Sequence, residues 1–268
     1  QNVKLVRSNL EKLLELQDNI QDIKKLLFAS DDYLLEVHER IAALEDIRDN
    51  ALLEIETGNE DVDLQIFVNY FDSIDNVASV FTKLIEERLE DVIGTAQDDP
   101  ATLVRIVQIV EREELRDKEK LPSMLFAQIL LFLQFFFFVF AELATLKSSN
   151  APKSSKKGGN QKDAQPILKL KEFKRRCFDV LIEGVKTKFQ FDMEDASTVP
   201  QKLDCFTKFM SEELESVQTC VEPCFPEEYH ISELFIDIYE KCLINEVHEI
   251  MDHMGSVPFS HRLKLLKW

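Results

Sequence analysis

The sequence predicts an all-α protein, with N-terminal coiled-coil-like helices followed by a helical bundle. Glycine and proline are scarce, 6 and 8 in 268 residues, so few positions interrupt a helix. Long runs place apolar residues three or four apart, the helical period. Charged residues make up 31% of the chain and fill the positions between.

The first helix reads from Val3 to Phe28. Val3, Val6, Leu10, Leu13, Leu16, Ile20, Ile23 and Leu27 step by three or four, close to the heptad mean. That stripe suits a coiled-coil seam, and Val6, Leu10, Leu13, Leu16, Ile20, Ile23 and Leu27 are the candidate subunit-interface residues. Ser30-Asp31-Asp32 breaks the helix and can cap the next. The second helix carries Leu34, Val37, Ile41, Leu44, Ala51 and Ile55 and stops at Gly58-Asn59. The two form either an antiparallel hairpin over 1–57 or part of a larger bundle with other chains.

Residues 61–120 read as the first part of the bundle. Phe67, Tyr70, Phe71, Ile74, Val77, Phe81, Leu84 and Ile85 make a looser helix, with Gly94 at its end. Asp98-Asp99-Pro100 then opens the central helix. Leu103, Val104, Ile106, Val107, Ile109 and Val110 cover more than half of its surface, so it needs neighbours on several sides. Glu111-Arg112-Glu113-Glu114 reads as a solvated end, and Arg116 to Lys120 as a charged tail or loop.

Leu121 to Ala141 holds no charged residue over 21 positions and includes four consecutive phenylalanines, Phe135 to Phe138. Its length and hydropathy meet the requirement for a membrane span. A tract with the composition of a flexible linker follows, so 121–165 stands apart as an apolar insert plus basic linker. The second part of the bundle reads from 166 to 254. One helix carries Leu168, Leu170, Phe173, Cys177, Leu181, Val185 and Phe189; Thr198 opens another; Phe225-Pro226-Glu227-Glu228 starts a third. Residues 255–268 form a short basic tail.

A net charge of -18 opposes binding to nucleic acid by the chain as a whole. Lys147 to Arg176 runs against that trend, with ten Lys or Arg against Asp163 and Glu172. Five scattered cysteines do not make a secreted disulfide framework and fit a reducing cytosol. No phosphate-binding glycine loop occurs. His248 and His253 are five residues apart, about 500° of helical turn, too far round for a shared zinc ion. Cys220 and Cys224 lack the two-residue spacing of a redox or metal pair. Paired carboxylates on these helices read as solvated faces. The expectation is no catalysis, no metal and no cofactor.

Three stretches in order carry a family resemblance. Asp99 to Glu114, DPATLVRIVQIVEREE, is similar to a helix of the exocyst complex component three family, a tethering subunit in eukaryotic secretion. Lys171-Glu172-Phe173-Lys174, with its helix through Lys188, and Cys224-Phe225-Pro226-Glu227-Glu228-Tyr229 resemble the segments that follow. The resemblance implies a helical-bundle rod of the tethering-complex type, joined to other exocyst subunits through coiled-coil helices. It implies vesicle tethering at the plasma membrane before SNARE-mediated fusion, with SNARE proteins as further partners. It also implies a cytoplasmic protein, peripheral at plasma membrane and secretory vesicles, without enzyme activity. The chain departs from the family at 121–141, where the family has no apolar span, and at its early stop. Both departures, with the start at Gln1, read as an incomplete or damaged gene. The competing readings are a single-pass membrane protein with helical domains on either side of 121–141, and a generic helical scaffold.

Overall fold

A computed structural model describes the backbone of residues 2–57, 64–146, 170–196 and 198–252. It describes side chains over 15–51, 71–122, 170–196 and 198–252, with Leu125 and Ile129. Eight principal helices follow in order: α1 (Asn2–Leu27), α2 (Leu34–Thr57), α3 (Leu64–Glu90), α4 (Val92–Asp98), α5 (Pro100–Leu146), α6 (Phe173–Asp195), α7 (Val199–Lys208) and α8 (Ile231–Asp252). No strand occurs among the described residues, and the chain is all-α.

The helix boundaries follow local chemistry. Ser30 accepts from the Asp32 amide at 3.1 Å and caps a 3₁₀ turn that feeds α2. Gly94 does not end α3. The break falls at Asp91, whose carboxylate accepts from the Gly94 amide at 3.1 Å inside short α4. A β-carbon at Gly94 would stand 2.3 Å from that same carboxylate, so a larger residue there would displace the cap. Asp99 caps α5, accepting from the Ala101 and Thr102 amides and from the Thr102 hydroxyl at 2.7 Å. Thr198 and Gln201 form a reciprocal capping box on α7.

Three sequence expectations are corrected. Arg116 to Lys120 is neither tail nor loop: α5 continues through it, past Pro122, to Leu146. Its cations lie against α2 carboxylates, which holds the charged stretch in the helix. α6 starts at Phe173 rather than near Pro166, because Glu172 takes a left-handed conformation (φ 47°) just before it. Phe225-Pro226 opens only a 3₁₀ turn, Glu227–Tyr229. His230, also left-handed at φ 47°, then delays the last helix to Ile231.

All the helices whose side chains are described share one apolar core. Ile20 and Ile23 of α1, Val37 and Ile41 of α2, and Ile74 and Ile85 of α3 belong to it. So do Leu103, Ile106 and Ile109 of α5, Leu181 of α6, Phe206 of α7 and Phe235 of α8. The multi-sided apolar surface of the central helix is thereby explained: it packs against α2, α4 and α6. α2 runs antiparallel to α3, with Arg88 pairing Asp31 and Arg48 pairing Asp75. It runs parallel to α5, and an ion-pair ladder of constant direction records the register. Asp32 meets Arg105 at 2.5 Å, Glu39 meets Arg112 at 2.7 Å, Asp46 meets Arg116 at 2.6 Å and Asp49 meets Lys120 at 2.8 Å. With that register and a rise of 1.5 Å per residue, α5 outruns the end of α2 by about 27 Å.

From Val199 the helical path continues irregularly to Val221 through two π-turns, Phe209–Glu213 and Val217–Val221. Tyr239 of α8 secures it, its hydroxyl donating to Glu213 at 2.7 Å while Lys188 of α6 holds the other oxygen at 2.9 Å.

Candidate functional site

Where α2, α5 and the start of α6 meet, the core takes in charge. His38, Glu45 and Glu113 have side chains only 5%, 3% and 3% exposed. Buried ionised groups are unfavourable unless paired on several sides, and these are. His38 Nε2 lies 2.7 Å from Glu113, Arg116 spans Glu113 at 2.9 Å and Glu45 at 3.2 Å, and Lys171 reaches Glu45 at 2.7 Å and Glu113 at 3.1 Å. Arg116 also donates to the Ala42 carbonyl at 3.1 Å, tying the knot to the α2 backbone. An ionised Glu113 carboxylate can only accept, so His38 donates to it through Nε2, while Nδ1 has no hydrogen-bond partner among the described residues. Burial pushes the Glu113 carboxyl up, but the His38 hydrogen bond and the Lys171 and Arg116 charges outweigh it. The carboxyl is held well below the usual range.

One step further along α5, Asp117 sets the entry to α6. Its two oxygens accept from the Lys171 and Glu172 amides at 3.0 and 2.9 Å. Lys174 then extends between Glu114, at 2.9 Å, and the ring of Tyr229, 4.4 Å from its centroid. Tyr229 stacks on Phe178 (5.4 Å, 9°) and meets Phe225 edge-on (6.0 Å). These contacts join the three stretches that carry the family resemblance. The same stretches, with Leu89 of α3, line a small, partly open apolar pocket beside Cys177, bordered by Ile106, Val110, Phe178, Leu181 and Tyr229.

Glu111 to Glu114 is thus a solvated end only in part: Glu111 and Arg112 are exposed, Glu114 is half-buried and Glu113 is buried. Glu113 is among the most buried residues of the chain, and with Glu45 it departs from the reading of carboxylates as solvated faces. The sequence carried one signal for it. Glu113 falls three residues after Val110 and four after Ile109, on the buried face of the same helix. His38 likewise follows Leu34 by four.

The α1 seam divides in two. Leu16, Ile20, Ile23 and Leu27 are buried in the chain's own core, at 8%, 2%, 0% and 5% exposure, packed with α2 and α3. The side chains of Val6, Leu10 and Leu13 lie outside the described residues. So do most of those in 121–141, although Leu121, Leu125 and Ile129 are exposed. Among the described residues no helix is long and apolar enough to cross a membrane. The flexible-linker reading of 147–165, the basic tail and His253 also fall outside them.

Among the described residues no group of three His, Cys, Asp or Glu is placed to hold a metal ion. His248 is exposed. All five cysteines are free thiols, and burial pushes Cys177 up to about 12, which leaves it protonated and unreactive. The Cys224 thiol donates back to the Cys220 carbonyl at 3.2 Å, a helical contact rather than half of a redox pair.

A single all-helical core, tied by buried ion pairs between helices distant in sequence, defines a helical-bundle scaffold. The chain matches the Exocyst complex component Sec6 family over residues 71–268 and belongs to that family. It is 22% identical over 250 residues to Exocyst complex component 3 of Drosophila melanogaster, covering 91% of this chain and 29% of that protein. It is 23% identical over 239 residues to an Exocyst complex component 3-like protein of Danio rerio, covering 85% of this chain and 26% of the relative. The chain therefore spans less than a third of the length of these relatives. No solved structure matches it.

Proposed function

We propose that the chain acts as a non-catalytic exocyst subunit that helps tether secretory vesicles to the plasma membrane before SNARE-mediated fusion. The observation that carries this reading is the family match across 71–268, which includes the helix contacts around Lys174 and Glu113. Those contacts suit a rigid strut, since paired buried charges fix one register between helices. Its partners are the other exocyst subunits, with SNARE proteins as further contacts. Its place is cytoplasmic, peripheral at the plasma membrane and secretory vesicles.

Within this reading the front of α1, with Val6, Leu10 and Leu13, forms the coiled-coil seam toward another subunit. Its rear half is committed to the intramolecular core. The test is affinity purification of the tagged chain, with blotting for the other subunits, before and after Val6→Asp/Leu13→Asp substitution. Wild-type chain should bring the subunits down and the double variant should not. Carbonate extraction tests the peripheral placement, since release without detergent is expected and a detergent requirement contradicts it.

A further inference from the structure

Between α4 and the second half of α6 lies an open groove of about 860 Å³. Its origin is a close approach: a β-carbon at Gly184 would stand 2.3 Å from the Glu90 carbonyl oxygen, so α6 crosses the end of α3 in direct backbone contact. The chain then turns at Asp91 into α4, and the groove opens beside the crossing. Val180, Gly184, Thr187 and Phe191 line it along one face of α6, at helical steps of three and four. Phe191 stands 64% exposed at one end, an aromatic ring that the bundle leaves uncovered. Glu90, Asp91 and Glu183 border the groove, all exposed. Asp91 also caps α4 and Glu183 lies 3.6 Å from Lys186 of its own helix, while the lining cation Lys188 is paired with Glu213 at 2.9 Å, so the rim keeps an acidic balance.

We propose that this groove binds a short amphipathic helix with a basic face, carried by a partner protein. From Val180 to Phe191 the face spans about 16 Å, three helical turns, which matches a ligand helix of similar length. Apolar side chains of that helix would bury Phe191 and the small floor at Gly184 and Thr187, the helix-in-groove mode. Its lysines or arginines would meet the three carboxylates, whose charges exclude an acidic helix. The proposal adds a second contact surface to the subunit reading and rests on it for the partner's context.

The probe is an 18-residue peptide of leucine and lysine with helical spacing, fluorescein-labelled and titrated into the full chain by anisotropy. A scrambled peptide of the same composition measures plain charge attraction to an acidic protein. Phe191→Ala and Glu183→Lys, both at exposed positions, should each weaken the patterned peptide, Phe191→Ala by about tenfold, as expected of an aromatic anchor. Glu240→Lys, an exposed α8 site away from the groove, should leave it nearly unchanged. Equal binding of the scrambled peptide, or equal effects of Phe191→Ala and Glu240→Lys, would overturn the groove. Either result leaves the subunit reading standing if the chain still co-purifies with exocyst subunits. Loss of co-purification for the wild-type chain would instead remove that reading.

Discussion

The ammonium of Lys174 lies 4.4 Å from the centre of the Tyr229 ring while bonded to Glu114 at 2.9 Å. A single side chain thereby joins α5, α6 and the turn before α8. A double-mutant cycle of Lys174→Met with Tyr229→Leu should give a coupling of about 0.5 kcal/mol, low because Lys174 is partly exposed and screened. Urea denaturation of the four proteins measures it. Additive losses would mean that the stacking is incidental.

Glu113 is the centre of the buried knot. Glu113→Ala leaves His38 Nε2 without its partner and Arg116 and Lys171 with Glu45 as their shared buried carboxylate, and should cost about 2–4 kcal/mol in urea unfolding. Glu113→Gln keeps the shape and should cost less. A loss below about 1 kcal/mol for the alanine variant would place the knot in water rather than in the core.

The same carboxylate sets an acid dependence. Its folded pKa lies below the unfolded value of about 4.3, so its contribution is present above that pH and lost as pH falls toward the folded pKa. Melting temperatures between pH 7 and pH 3 should fall more steeply for wild type than for Glu113→Gln. Parallel curves would contradict the assignment.

Gly184→Ala should destabilise by about 1–3 kcal/mol, because the added carbon meets the backbone carbonyl of Glu90, which cannot rotate aside. Circular dichroism melts check this. A neutral or stabilising alanine would show that α3 and α6 can move apart without loss.

Helix periodicity made much of this architecture readable, because the core positions of α1, α2, α5 and α6 recur at three and four. What stayed hidden depended on tertiary partners. Glu113 reads as one acid among three until His38 and Lys171 are seen beside it, and Arg116 to Lys120 reads as a tail until α2 supplies its carboxylates. Gly94 reads as helix punctuation and Gly184 carries no local signal, yet one accommodates a cap and the other a helix crossing. Pairing across 70 or more residues leaves no trace in local spacing.

Deletion of residues 121–165 should leave the bundle intact. The Lys171 amide sits 3.0 Å from Asp117, so the chain entering α6 meets α5 within a turn of Lys120, where the deletion would cut. Pro166 to Leu170 then suffices as a helix–helix connection. The deleted chain should be more soluble and unfold cooperatively at an unchanged or higher melting temperature. A lower midpoint, or helix lost well beyond the removed segment, would show that this stretch packs into the core.

The most direct test of the subunit assignment is quantitative mass spectrometry of proteins purified with the tagged chain from cells. The other exocyst subunits should appear in near-equal amounts and vanish together when α1 carries Val6→Asp and Leu13→Asp. Recovery of the chain alone, or with unrelated proteins only, would contradict a role in exocyst tethering.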